Sequence, residues 1–222
     1  MSAIRRSPRL TKGAIIGVDV YNPVASSVVF QYNPTTLTRR IRPRSSFGQS
    51  ATFEGQRLAG PPEETIVTEL FLDATDGLED EHPVAVATGI APQIAALEML
   101  VHPKAIQVAM QYAKHQAGLI EFGTPTTSVF TLFAWGVQRI VPVRVEGMTI
   151  TEEAFDPQLH PIRARVALNL RVLTFADFST SQAGFWVSMA HSVLKEAEAT
   201  VGSALNTVNL GSVLPYALPV DI

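Results

Sequence analysis

Apolar and polar positions alternate along residues 161–175, "PIRARVALNLRVLTF". Val166, Leu168, Leu170 and Val172 share one parity, and Arg165, Ala167, Asn169 and Arg171 the other. A period of two marks a β-strand, because successive side chains point to opposite faces. The same period runs through "TIVTELFLDATDG" (65–77), with Ile66, Thr68, Leu70 and Leu72 on one side. In "AIIGVDVYN" (14–22), Ile16, Val18 and Val20 share a parity. In "SSVVFQYN" (26–33), Val28, Phe30 and Tyr32 do, and the short gap between the two segments predicts a hairpin. "SVFTLFAWG" (128–136) is dense in β-branched and aromatic residues. "RIVPVRVEGMTITEEAF" (139–155) reads as two strands around Gly147, with Pro142 implying an edge or a bulge.

The middle and the end of the chain change period. Ile94, Leu97 and Val101 recur at helical spacing over 92–101, with Pro92 at a helix start. A second helix is expected over 104–118, with Gly118 near its end, and a third over 182–205, with Phe185, Met189 and Val193 along one side. Residues 45–64 show no period and read as an extended loop, and the acidic run 73–81 as an exposed turn. Asn33-Pro34 reads as a stop after the second strand. Arg39, Arg40, Arg42 and Arg44 follow it as an exposed basic segment, expected to dock on an acidic surface of a neighbouring subunit. These segments predict an α+β, mainly antiparallel β fold. A basic N-terminal arm covers 1–13, a β-rich domain 14–175, and a helix with an apolar docking tail 176–222, with Phe185 and Trp186 as candidate interface residues.

Composition narrows the function classes. Charged residues make up 17% of the 222, against 46% hydrophobic, which points to apolar surface covered by other subunits. The absence of cysteine excludes disulfides, thiolate metal sites and a cysteine nucleophile. Residues 1–13 are charged without an apolar run, so no secretory signal is expected. The most apolar runs are about half the length a bilayer span needs. Synthesis and assembly in the cytoplasm are expected, as part of a particle that stays there, is membrane-anchored or is released.

Catalytic patterns are missing. The five histidines make no H-E-x-x-H frame, and no G-x-S-x-G, phosphate-binding or dinucleotide glycine pattern occurs. Glu152 and Glu153 are adjacent, hence on opposite faces of a strand, and poor acid/base partners. No cofactor or metal is expected. The net charge of −3 argues against nucleic acid as a partner despite the arginines.

One resemblance gives the elements an order. "FQYNPTTLTRR", "TIVTELFLDAT" and "FTLFAWGVQRIVPVRVEGMTITEEAFDPQLHPIRARVALNLRVL" follow one another over 14–175. Together they resemble the N-terminal domain of contractile injection system tube-type proteins. The matching positions are Tyr32, Asn33 and Pro34; Leu70, Leu72, Asp73 and Thr75; Phe133, Trp135 and Gly136; Phe155; and Pro161, Arg163 and Ala164. Where that family often continues into a LysM module, this chain has the helix and apolar tail after Phe175.

The resemblance implies a β-sandwich or barrel subunit with a packed helix, six copies of which close into a ring barrel around a lumen. It implies a non-enzymatic baseplate adaptor linking a trimeric spike to the sixfold inner tube, in contact with spike, tube and other baseplate subunits. An ordinary or tube-terminating subunit is the alternative within the family. A cell-wall-associated enzyme or a nucleic-acid-binding protein is a more remote one.

Overall fold

The computed structural model describes residues 11–18, 27–30, 32–45, 58–121, 128–136 and 138–213, with side chains to residue 203. The chain order is β1 (Ala14–Val18), β2 (Ser27–Val29), β3 (Leu37–Ser45), β4 (Leu58–Asp73), α1 (Thr75–Glu79), α2 (Pro83–Thr88), α3 (Ala91–Glu98), α4 (Ala105–Gln116), β5 (Phe130–Ala134), β6 (Ile140–Phe155), β7 (Pro161–Val172) and α5 (Ala183–Val213). The described strands form one seven-stranded antiparallel sheet in the order β2-β1-β5-β6-β7-β4-β3. The α+β class is as expected. The sheet of the described residues is not closed, so the expected sandwich or ring barrel is not seen in a single copy.

The period-two segments set the core. Ile66, Leu70 and Leu72 of β4 and Ala164, Val166, Leu168, Leu170 and Val172 of β7 are all buried on one face. Register locks them together, with Ile66 opposite Leu170, Thr68 opposite Leu168 and Leu70 opposite Val166. Sliding β7 by one residue would turn this whole set outwards, so the alternation itself fixes the pairing. Ile90, Ile94, Leu97 and Leu100, in and around α3, join the same core, as do Ile15, Val28, Phe30 and Phe133. Each fully buried Leu or Ile contributes roughly 1.5–3 kcal/mol. The β1–β2 hairpin forms with Ile15 opposite Val28. Its inward residue is Ile15 and not its neighbours Ile16 and Val18, of which Val18 is exposed.

Three expected segments differ. Residues 37–45, read as a basic exposed segment, are strand β3, paired with β4 from Leu37–Thr68 to Ser45–Leu58. The second half of the expected 45–64 loop is strand as well, since β4 begins at Leu58. Neither shows alternation, because arginines, Pro43 and Pro61-Pro62 stand where apolar residues would signal it. The third difference is β6, one continuous strand whose register shifts between Val145 and Gly147, so Gly147 marks a bulge and not a break. The acidic run 73–81 contains the short helix α1. The expected residues of the N-terminal arm up to 10, and the apolar tail from 214, lie outside the described residues.

Gly89 ties helices to sheet. It ends α2 at φ +58°, and a Cβ there would lie 2.1 Å from the Pro161 carbonyl oxygen. The next residue, Ile90, donates its backbone N–H to that same oxygen at 2.9 Å.

Candidate assembly surface

The four long strands β6, β7, β4 and β3 have two unlike faces. The apolar face belongs to the core that Ile94 and Leu97 of α3 join, and α5 packs against β6. The opposite face presents Arg163, Arg165, Ala167, Asn169 and Arg171 on β7, and Val67 and Glu69 on β4, and no described element packs over it. Thr38, Arg40 and Arg42 extend it on β3, because Thr38 lies opposite Val67 and Arg40 opposite Thr65. Arg144 extends it on β6, opposite Arg171. Thr38, Arg40, Arg42, Glu63, Glu146 and Asn169 line a shallow groove on this face. Its charges are partly balanced: Arg163 Nε donates to Asp73 Oδ2 at 3.0 Å, and Arg165 Nε lies 2.7 Å from Glu153 Oε1.

Among the described residues, the outer flank of β3 and part of the outer flank of β6 are unpaired. β3 pairs, among the described residues, only with β4. On the far side, β5 pairs with β6 over Ile140–Val143 and no further. From Arg144 to Phe155, β6 is held on its β7 side alone among the described residues.

The four arginines singled out in the sequence do not share one surface. Arg40 and Arg42 belong to the open face and Arg44 is half-buried near the end of β3. Arg39 points to the covered side, where its Nε donates to Glu64 Oε1 at 2.7 Å. Lys195 of α5 donates to Glu64 Oε2 at 3.0 Å. Burial of Glu64 opposes its charge, but the two hydrogen bonds and charges from Arg39 and Lys195 outweigh it and hold its carboxyl below the ordinary value. His191, one turn before Lys195, has a buried Nδ1 without a hydrogen-bond partner. Burial, then the Lys195 charge, push its pKa down against the opposing pull of Glu64, which favours the neutral ring. The sequence offered no sign of this cluster, since Glu64 and Lys195 stand 131 residues apart.

Most of the motif residues make contacts within the fold. Asn33 Oδ1 accepts from Gly13 N at 2.9 Å and its Nδ2 donates to the Thr11 carbonyl at 2.9 Å, so its side chain clamps the lead-in to β1. Pro34 is buried and Tyr32 exposed. Trp135 stacks on Phe133, 6.0 Å between centroids at 12°, and Gly136 turns the chain at φ +73°. Leu70 is in the core. Asp73 accepts from the Thr75 backbone N–H at 2.8 Å, from the Thr75 hydroxyl and from Arg163. Partial burial works against its charge, and these bonds still hold its carboxyl below the ordinary range. Phe155 ends β6 half-exposed opposite Pro161. The Asp156 carboxylate then closes the turn by accepting from the Gln158 and His160 backbone N–H groups, each at 2.8 Å.

α5 approaches the sheet through small and polar residues. Gly184 and Ser188 are buried, and a Cβ on Gly184 would fall 2.5 Å from the Phe178 ring. Phe185 and Met189, on the expected apolar side, are half-buried, and Val193 is exposed. Trp186 is 63% exposed, its ring edge-on to Phe185 and its Nε1 donating to the Thr180 carbonyl. α4 buries none of its residues and exposes Ile106, Val108, Met110 and Tyr112.

Among the described residues, no three His, Asp or Glu side chains gather as metal ligands. No helix among them is long and apolar enough to cross a membrane. No protein-family model matches the chain, and no curated protein matches it significantly.

Proposed function

We propose that this chain is a structural, non-catalytic subunit of a contractile injection system. It forms a hexameric ring at the baseplate end of the inner tube, between a trimeric spike and the sixfold tube. The observation that carries this reading is the open face of β6-β7-β4-β3. Four strands of up to 16 residues carry the core on their apolar side, and no described element covers the side rich in Arg, Thr, Asn and Glu. A wall around a water-filled lumen needs that division, polar inside and apolar outside. A monomer gains nothing from leaving so long a sheet with free edges.

The mechanism is geometric. Ring closure satisfies the sheet edges, and the covered core makes each wall segment stiff enough to transmit force as the sheath contracts. Trp135 packs within the Phe30–Phe133 aromatic group and binds no ligand in this reading. The exposed faces of α4 and α5 are contact surfaces for neighbouring baseplate components. The length of α5 beyond the sheet favours the adaptor position over an ordinary tube layer.

Imaging particles that carry a small tag on this chain tests the assignment. A single tagged ring at the junction of spike and tube is expected. Tags along the whole tube, or none on the particle, would refute it.

A further inference from the structure

The charges beside α5 do not balance. We infer that the cleft between Arg39 of β3, Arg139 of the β5–β6 turn and Lys195 of α5 is a binding site for a carboxylate. The site is independent of the ring and of any position in a particle.

Arg39, Trp135, Gln138, Arg139, His191 and Lys195 line a hollow of about 280 Å³, so three elements far apart in sequence meet there. The turn that brings Arg139 in is held by the Trp135 backbone N–H, which donates to the Arg139 carbonyl at 2.8 Å, with Gly136 at φ +73°. Trp135 is fixed from behind by its stacking on Phe133. It forms a wall, and the cations supply the recognition.

Glu64 accepts from Arg39 Nε at 2.7 Å and from Lys195 Nζ at 3.0 Å, so one carboxylate serves two cations. Arg39 keeps its Nη donors, and Lys195 has further N–H donors to spend. Arg139 is half-buried, and no described residue pairs with its guanidinium. Glu198 also lines the cleft and makes no ion pair with Arg139 among the described residues. With both glutamates counted, one cation remains over. Partial burial without a partner costs that guanidinium part of its hydration, and an incoming anion offsets the loss.

The surplus sets the ligand class. One positive charge calls for one negative charge, and the planar guanidinium fork matches the two oxygens of a carboxylate. A phosphate dianion would bring a second negative charge towards Glu64 and Glu198. His191 has its Nδ1 buried without a partner, which leaves Nε2 as the ring nitrogen able to donate to the ligand. The charges of Lys195, Arg39 and Arg139 all bear on this ring, so the three cations act on one small volume.

The chain has two tryptophans, and Trp186→Phe leaves Trp135 as the only reporter. In that background the full chain is titrated with propionate and with the capped peptide acetyl-Ala-Glu-Ala-amide, each carrying one carboxylate, at constant ionic strength. Trp135 fluorescence should change saturably with both. Tighter binding of the peptide assigns the carboxylate to a polypeptide and equal binding to a small molecule; either supports the site. Arg139→Gln should weaken binding about tenfold, the loss of one charge-assisted hydrogen bond. Glu198→Gln should tighten it. Unfolding midpoints of both variants should match the parent. No saturable change, equal binding of the Gln form of the peptide or of inorganic phosphate, or unchanged binding in Arg139→Gln would overturn the site.

Discussion

Arg163 at the start of β7 donates from Nε to Asp73 Oδ2 at the end of β4, 3.0 Å away across 90 residues of chain. The two residues lie opposite each other in the β4–β7 register. Asp73 also anchors the turn into α1 through Thr75. One carboxylate thereby fixes where the β4–β7 pairing ends and where the helices begin.

Substituting Asp73 by Ala removes the Thr75 bonds together with the ion pair. A loss of about 1–2 kcal/mol is expected. Arg163→Ala removes only a half-exposed ion-pair partner and should cost under about 1 kcal/mol. Urea unfolding midpoints compare the two, and equal losses would contradict the turn-anchoring role.

Gly89→Ala forces a side chain into φ +58° and against the Pro161 carbonyl. A destabilisation of at least about 2 kcal/mol is expected from strain and displacement of that strand end. Gly118→Ala is the control, since its φ is +71° but nothing lies within 4 Å of the added Cβ. Thermal unfolding should show the larger loss at Gly89.

The Glu64 cluster makes the docking of α5 sensitive to acid. His191 has a depressed pKa when folded, so an unfolded chain takes up its proton near 6.5 while the folded one does not. Stability should fall as pH drops below about 6.5, until the folded value is passed. Glu64 adds a second loss at lower pH, as its depressed carboxyl is finally protonated. The facing charges are Arg39, Glu64, Arg139 and Lys195. Thermal midpoints from pH 7.5 to 5 should decline less in His191→Gln than in the parent. Parallel declines would show that His191 is not the titrating group.

α4 stands outside the core, so changes on it should act on assembly and not on folding. Ile106→Glu combined with Met110→Lys should leave the unfolding midpoint within about 0.5 kcal/mol of the parent. The assembled fraction, read by sedimentation, should fall. Unchanged assembly would remove α4 from the contact surfaces.

The sequence made the central strands legible because the parities of Ile66–Leu72 and Val166–Val172 are unbroken. It hid β3, where "LTRRIRPRS" sets charge and proline against the strand pattern. That strand owes its existence to the register of β4, a tertiary cause with no local signal. Asn33 was legible as a stop but not as a clamp on Thr11 and Gly13, because its partners lie a strand away. The packed side of α5 was misread because Gly184, Ser188 and His191 bring a helix close without being apolar. Arg40 and Arg42 were expected to face a neighbour; they lie exposed on the face of β3 that no described element covers. Arg39, read with them, turns inward to Glu64.

The subunit count of the purified assembly tests the central claim most directly. Particle images or native mass measurement should give closed rings of six, with the Arg40–Asn169–Arg165 face towards the lumen. Monomers, open chains, or rings of any other number would contradict it.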